Sequence, residues 1–306
     1  MVHPSSVLSV LLALGQTAPA ARTGLETVPL VRRIVVLGAS LSHGYGLDAE
    51  VEARVGFADV VEATLLAEHE PVRSRTSLLF FTDPLETSRR LVDKAREDDP
   101  SLVCAIDYLF WFGYGLLPSD EARLEFLEKG LASLEGFTCP LVLGDLPDMS
   151  PAARSPPPGG LPPLLVPEQV PSASCLARLN RRIRDWAAGR EGVVVLPLAD
   201  LISRLQAERE IVIHGNRWAP GARGGFLGPD RLHPTLEGAV ALWLAGLDAV
   251  AASRENLPAA AVDWSAESVR TRVYDAKATE RRAGRERAER RPDKGDSTGR
   301  RGDGER

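Results

Sequence analysis

Two textures alternate along the chain. Between residues 32 and 250, short runs that are apolar on both faces are separated by longer stretches in which apolar residues return every three or four positions. The runs are RRIVVLGAS (32–40), VRSRTSLLFF (72–81), SLVCAID (101–107), CPLVLGD (139–145) and GVVVLPLA (192–199). A run of that length with no polar face predicts a strand buried on both sides; VRSRTSLLFF, polar in its first half, is read as a strand without that double burial. Between them, Phe57, Val60, Val61 and Leu65 share one helical face, as do Leu124, Leu127, Leu131 and Leu134, and Leu176, Leu179, Ile183 and Trp186. LETSRRLVDKARE (85–97) is a further helix, and a last one follows HPT at 233–235, with Pro234 near its first turn. Strands alternating with helices are βαβ units, so the expected fold is α/β, with a five-stranded parallel sheet covered on both faces. Ligands of such sheets bind where the strands end at their carboxyl edge.

The pattern fails at three places. Residues 1–28 hold an apolar stretch, VLSVLLALG (7–15), and small residues at 18–21, but no Lys or Arg before them. They read as a signal peptide or a leader, which leaves an exported and a cytoplasmic location both open. No other segment suggests a membrane span. From Asp275 onward no apolar residue larger than alanine occurs, so a C-terminal extension over 254–306 is expected to be disordered from about 275. The proline-rich stretch 147–171 leaves the carboxyl edge after the fourth strand, as a lid, a substrate wall or a rigid excursion. One domain, 29–253, remains.

Composition narrows the partners. A formal net charge of -5 argues against nucleic acid. Cys104, Cys139 and Cys175 have no metal-ligand spacing, and no metal or other cofactor is implied.

The chemistry begins with GASLSHGYGL (38–47), where the first strand breaks into a small, glycine-rich turn carrying Ser40. A serine hydroxyl is a weak nucleophile until a base takes its proton, and histidine is the usual base. Of the five histidines, His233 opens a helix after the last strand, at the same sheet edge. Asp230, three residues earlier, can accept from the other imidazole nitrogen and fix the tautomer. The expected geometry is Ser40 Oγ within hydrogen-bond reach of His233 Nε2, with Asp230 behind the ring.

Those two blocks, GASLSHGYGL and DRLHPTLEG, resemble the SGNH (GDSL-type) hydrolases over about residues 32–250. The resemblance implies a flavodoxin-like three-layer α/β/α fold and a serine esterase acting through an acyl-enzyme, with Ser40 as nucleophile, His233 as base and Asp230 as orienting acid. The partner would be a small-molecule ester, such as a lipid or an acetylated sugar. An α/β-hydrolase elbow would need glycine where Ser42 stands.

The chain also departs from the pattern. Ala39 replaces the Asp of Gly-Asp-Ser, and the glycine and asparagine that complete the family's oxyanion hole are missing. Beside the Ser40 N–H, Thr82 or Asp83 could donate in place of the glycine. Asp107 stands nearest the asparagine position; it could donate only if protonated, or else it holds a turn. YLFWFGYG (108–115) offers Tyr108, Trp111 and Tyr114 as substrate-lining candidates, with Phe110 and Phe112 read as core. Intact Ser40, Asp230 and His233 favour the hydrolase. The broken oxyanion blocks favour a non-catalytic domain of the same fold that binds a ligand or partner.

Overall fold

The computed structural model describes residues 29–154, 163–219, 223–253 and 257–289. The leader, the centre of the proline-rich stretch and the last seventeen positions, 290–306, lie outside the described residues.

Five of the apolar runs form strands: β1 (Ile34–Gly38), β2 (Arg73–Thr76), β3 (Leu102–Ala105), β4 (Leu141–Gly144) and β5 (Val193–Leu196). All pair in parallel, in the order β2-β1-β3-β4-β5. β1, β3 and β4 are buried throughout, which is why their sequences have no polar face. β2 is one of the two edge strands; it is polar, and it stops at Thr76, so that Leu78–Phe81 leave the sheet through a 3₁₀ turn rather than prolonging it. The order is that of flavodoxin-like doubly wound sheets, whose crevice opens between β1 and β3, where the chain reverses its direction of travel across the sheet.

The helices, in chain order, are α1 (Ser40–His43), α2 (Leu47–Val51), α3 (Phe57–Thr64), α4 (Pro84–Glu97), α5 (Phe110–Gly113), α6 (Asp120–Ser133), α7 (Ser150–Arg154), α8 (Ala173–Ala188), α9 (Leu198–Gln206), α10 (Arg223–Phe226), α11 (Leu236–Ser253) and α12 (Ala266–Glu289). α4, α6 and α8 pack side by side on one face, and α3, α11 and α12 cover the other, giving three layers. Ser119 and Ser172 cap α6 and α8 by accepting from Ala122 N–H and Cys175 N–H, 3.1 Å each. α11 is the one helix among the described residues long and apolar enough to cross a membrane by length and composition. Here it is core: Trp243 is fully buried and its indole N–H donates to Thr64 Oγ1 at 2.8 Å. Thr235 caps it, accepting from Gly238 N–H at 3.1 Å, and Pro234 lies just before the cap, near the first turn.

The C-terminal expectation needs correction. The chain does not lose order at 275; α12 runs on to Glu289 and docks on α3. Val269 and Val273 are buried beneath it. Beyond them the anchors are polar. Lys277 Nζ, itself buried, meets Asp59 at 2.7 Å, and Arg281 Nη1 donates to the carbonyls of Val51 and Glu52 at 2.7 and 3.1 Å. The extension therefore belongs to the same packed domain.

Candidate active site

Ser40 is the first residue of α1, at the carboxyl end of β1 and beside the crevice. Its turn is built around a carboxylate 68 residues away in sequence. Asp107, just past β3, reaches across the switch point and accepts from Ala39 N–H (3.0 Å), Leu41 N–H (2.9 Å), Ser42 N–H (3.2 Å) and Ser42 Oγ–H (2.6 Å). Three of these partners are obligate donors. Only the Ser42 hydroxyl can reverse its role, so a proton on Asp107 would be shared with Ser42. Burial pushes the Asp107 carboxyl above the usual range, against the pull of the four hydrogen bonds. Gly38 makes room for the pair: a Cβ there would lie 2.1 Å from Asp107 Oδ1 and 2.4 Å from Ser42 Oγ. Gly44 ends α1 with φ +90°, where a Cβ would lie 2.0 Å from the Val55 carbonyl oxygen.

The second half of the site comes from the loop before α11. Gly228 N–H donates to the His233 carbonyl at 2.8 Å and closes a tight loop in which Arg231 takes a left-handed conformation (φ 57°). Asp230 Oδ1 accepts the N–H groups of Leu232 and His233, at 2.9 and 3.0 Å, and its Oδ2 lies 2.8 Å from His233 Nδ1. Across the crevice, His233 Nε2 lies 2.8 Å from Ser40 Oγ. The residues are separated by 193 positions and meet because β1 and the α11 loop end at one sheet edge. Burial pulls the Asp230 carboxyl upward, but the His233 hydrogen bond and charge and the two backbone donors outweigh it, and it is held below the usual carboxylate range. An ionised carboxylate behind Nδ1 holds the ring with Nε2 free to take the serine proton.

A cavity of about 50 Å³ opens beside Ser40 and His233, lined by aliphatic side chains from the loops after β3, β4 and β5 and from α11. Phe110 lines it; Tyr108, Trp111 and Tyr114 do not, which corrects all three substrate-lining expectations. Tyr108 is fully buried in the α4–α6 layer, with its hydroxyl on Ser88 and Ser133. Trp111 packs on Phe81, ring centroids 5.5 Å apart. Tyr114 stands behind the wall: its ring stacks on Phe110 at 4.2 Å, and its hydroxyl donates to the Pro147 carbonyl and accepts from Met149 N–H. Thus Pro147 and Met149, from the start of the proline-rich stretch, are part of the cavity wall. The far end of that stretch is pinned by buried Arg123, which donates to the Glu168 and Gln169 carbonyls.

The oxyanion expectations divide. Thr82 N–H is committed to the Leu79 carbonyl at 3.1 Å, and Asp83 caps α4 by accepting Glu86 N–H at 3.0 Å. Neither lines the cavity, so the polypeptide after β2 does not offer the donor expected there. Asp107 lines it but turns its oxygens to the α1 turn as acceptors. Ser40 N–H belongs to the first residue of a helix and has no acceptor within it, which leaves it available as a donor.

Two contacts had no counterpart in the sequence reading. The Tyr45 ring lies 4.4 Å from the imidazole of His233, centroid to centroid. Glu50 accepts Leu236 N–H at 2.9 Å and so ties α2 to the start of α11. His43, the other histidine near Ser40, bonds Thr76 Oγ1 at 3.0 Å; burial, then the nearby Arg54 charge, lowers its pKa. Among the described residues no group of three or more His, Cys, Asp or Glu side chains forms a metal site.

The sequence matches no protein-family model and no curated protein. Its structure is similar to several solved ones at low identity. A lipase/acylhydrolase from Enterococcus faecalis aligns with a TM-score of 0.44 and 17% identity, over 71% of this chain and 96% of that one. TesA aligns at 0.42 and 15%, over 74% and 100%. The psychrotrophic esterase EstA from Pseudoalteromonas sp., in a structure inhibited by monoethylphosphonate, aligns at 0.42 and 12%, over 72% and 97%.

Proposed function

We propose that the protein is a serine esterase of the SGNH type, in which Ser40 is acylated by an ester and then deacylated by water. The observation that carries this reading is the unbroken line Ser40 Oγ–His233–Asp230, with both contacts at 2.8 Å and an apolar cavity beside the hydroxyl. His233 Nε2 takes the Ser40 proton as Oγ attacks the carbonyl carbon. Asp230 keeps the ring oriented and stabilises the imidazolium. The carbon–oxygen bond to the leaving group breaks, and that oxygen takes the proton from Nε2. Water then repeats the steps in reverse roles, releasing the acid and free Ser40. The Ser40 N–H is the donor placed nearest the developing oxyanion. With the family's asparagine amide absent, turnover is expected to be low by roughly 10²–10³, the usual effect of one such donor.

A second reading rests on the same departure. A domain of this fold whose Asp107 carboxylate is committed to acceptor bonds can bind an ester or acid in the cavity without turning it over. The two separate in one assay: hydrolysis of p-nitrophenyl acetate by wild type, Ser40→Ala and His233→Ala. The esterase reading expects release of p-nitrophenol by wild type and a fall to background in both variants. Equal rates in all three would favour the binding domain.

A further inference from the structure

The cavity beside Ser40 is small, about 50 Å³. Its apolar lining includes Leu146 and Met149 after β4, Leu198 and Ile202 of α9, Leu227 of the histidine loop and Leu242 of α11. Each of the six is buried. Asp145 also lines it, but its oxygens are taken by Ala199 N–H at 2.7 Å and Arg184 at 3.0 Å. What faces a guest is hydrocarbon. A water needs about 10–15 Å³ of such space, so about 50 Å³ admits roughly three to five water-sized groups.

We infer that this cavity is an acyl pocket with a fixed length limit, accepting straight acyl chains from acetyl to about butyryl and refusing longer ones. The inference rests on the esterase reading, because Ser40 at the mouth defines where the carbonyl sits. α9 and the β4 loop set the limit. Two of the limiting residues are held from behind by their backbone. The Tyr114 hydroxyl bonds Pro147 and Met149. Asn180 on α8 accepts from Leu146 N–H and donates to its carbonyl, both at 2.7 Å. A wall braced by side chains of α5's end and α8 does not give way as a mobile loop would.

The test is a p-nitrophenyl ester series from acetate to octanoate on the full chain. In a cavity that took the whole chain, each added methylene would raise kcat/KM about fourfold through burial alone. The expected profile rises or holds to butyrate and then falls at least tenfold by octanoate. A second enzyme form, Ile202→Val, should move the maximum toward longer chains; Met149→Ala serves if that variant does not fold. A steady rise through octanoate in wild type would overturn the length limit while leaving the esterase reading intact. If no ester is cleaved, the esterase reading fails and binding decides the pocket. Butyrate and octanoate are then titrated into Ser40→Ala, watching the methyl resonances of Met149 and Ile202. Shifts with butyrate alone would support the pocket. Stronger shifts with octanoate, or none with either acid, would reject it.

Discussion

At the scale of single residues, Asp107 is the most consequential side chain outside the Ser-His-Asp line. Four donors converge on its two oxygens, three of them backbone N–H groups of the turn that holds Ser40. Replacing it with asparagine would point an amide N–H₂ at N–H groups that cannot accept. Asp107→Asn is therefore expected to lower stability by about 1–3 kcal/mol and to reduce, not raise, turnover, as Ser40 loses its support. The urea midpoint and kcat on p-nitrophenyl acetate, taken from one preparation, check both. Gly38→Ala should do the same by steric means, since its Cβ would enter the Asp107–Ser42 contact. Asp230 gives a pH signature of defined sign. Its folded carboxyl is held below the ordinary value of about 3.9, so its contribution to stability is complete above that value and is lost as pH falls through the lowered one. Thermal melts of wild type and Asp230→Asn between pH 6 and pH 2 should thus converge toward the acid end. A constant gap across that range would show that Asp230 does not titrate as the geometry requires.

At the scale of elements, what was legible in the sequence is what burial writes into a pattern. β1, β3 and β4 read directly because strands buried on both faces have no polar positions, and α8 reads because its apolar stripe faces the sheet. Ser40 was legible at the end of β1, and Asp230 and His233 in the loop that opens the helix α11. The role of Asp107 was not, because it depends on a contact between two loops far apart in sequence, and residue spacing carries no information about it. α12 was missed for a different reason. Ala266, Val269 and Val273 anchor it by hydrophobic burial, and further docking is done by Lys277 and Arg281, residues that composition assigns to solvent. The consequence is testable. Truncation after Ser265 would expose the surface those valines cover and is expected to cost roughly 3–6 kcal/mol. Activity should fall as well. Arg281 and Lys277 hold the segment 51–59, which follows the Tyr45 and Glu50 contacts to the histidine loop. An unchanged urea midpoint would show that α12 is not part of the domain.

At the scale of the whole molecule, the candidate chemistry is gathered at one edge of the five-stranded sheet, and a small antiparallel pair, Ile211–Ile213 with Asn216–Trp218, stands apart from that sheet. β1, β3, β4, β5 and α11 each contribute a loop or a helix to the cavity, which is why residues from position 39 to position 242 line it. No covalent link supports this arrangement. All three cysteines are free, and burial raises the thiols of Cys139 and Cys175 to about 11. The protein should accordingly melt at the same temperature with and without dithiothreitol; a lower value with reductant would contradict the free-thiol assignment. The central claim, that this edge makes Ser40 a nucleophile, is tested most directly by reaction with a fluorophosphonate, followed by mass spectrometry of the digested protein. The account predicts one phosphonyl adduct, on Ser40, formed by wild type and lost in His233→Ala, whose serine remains but has no base. An unmodified Ser40 in folded wild-type protein, or an adduct that forms equally well without His233, would contradict it.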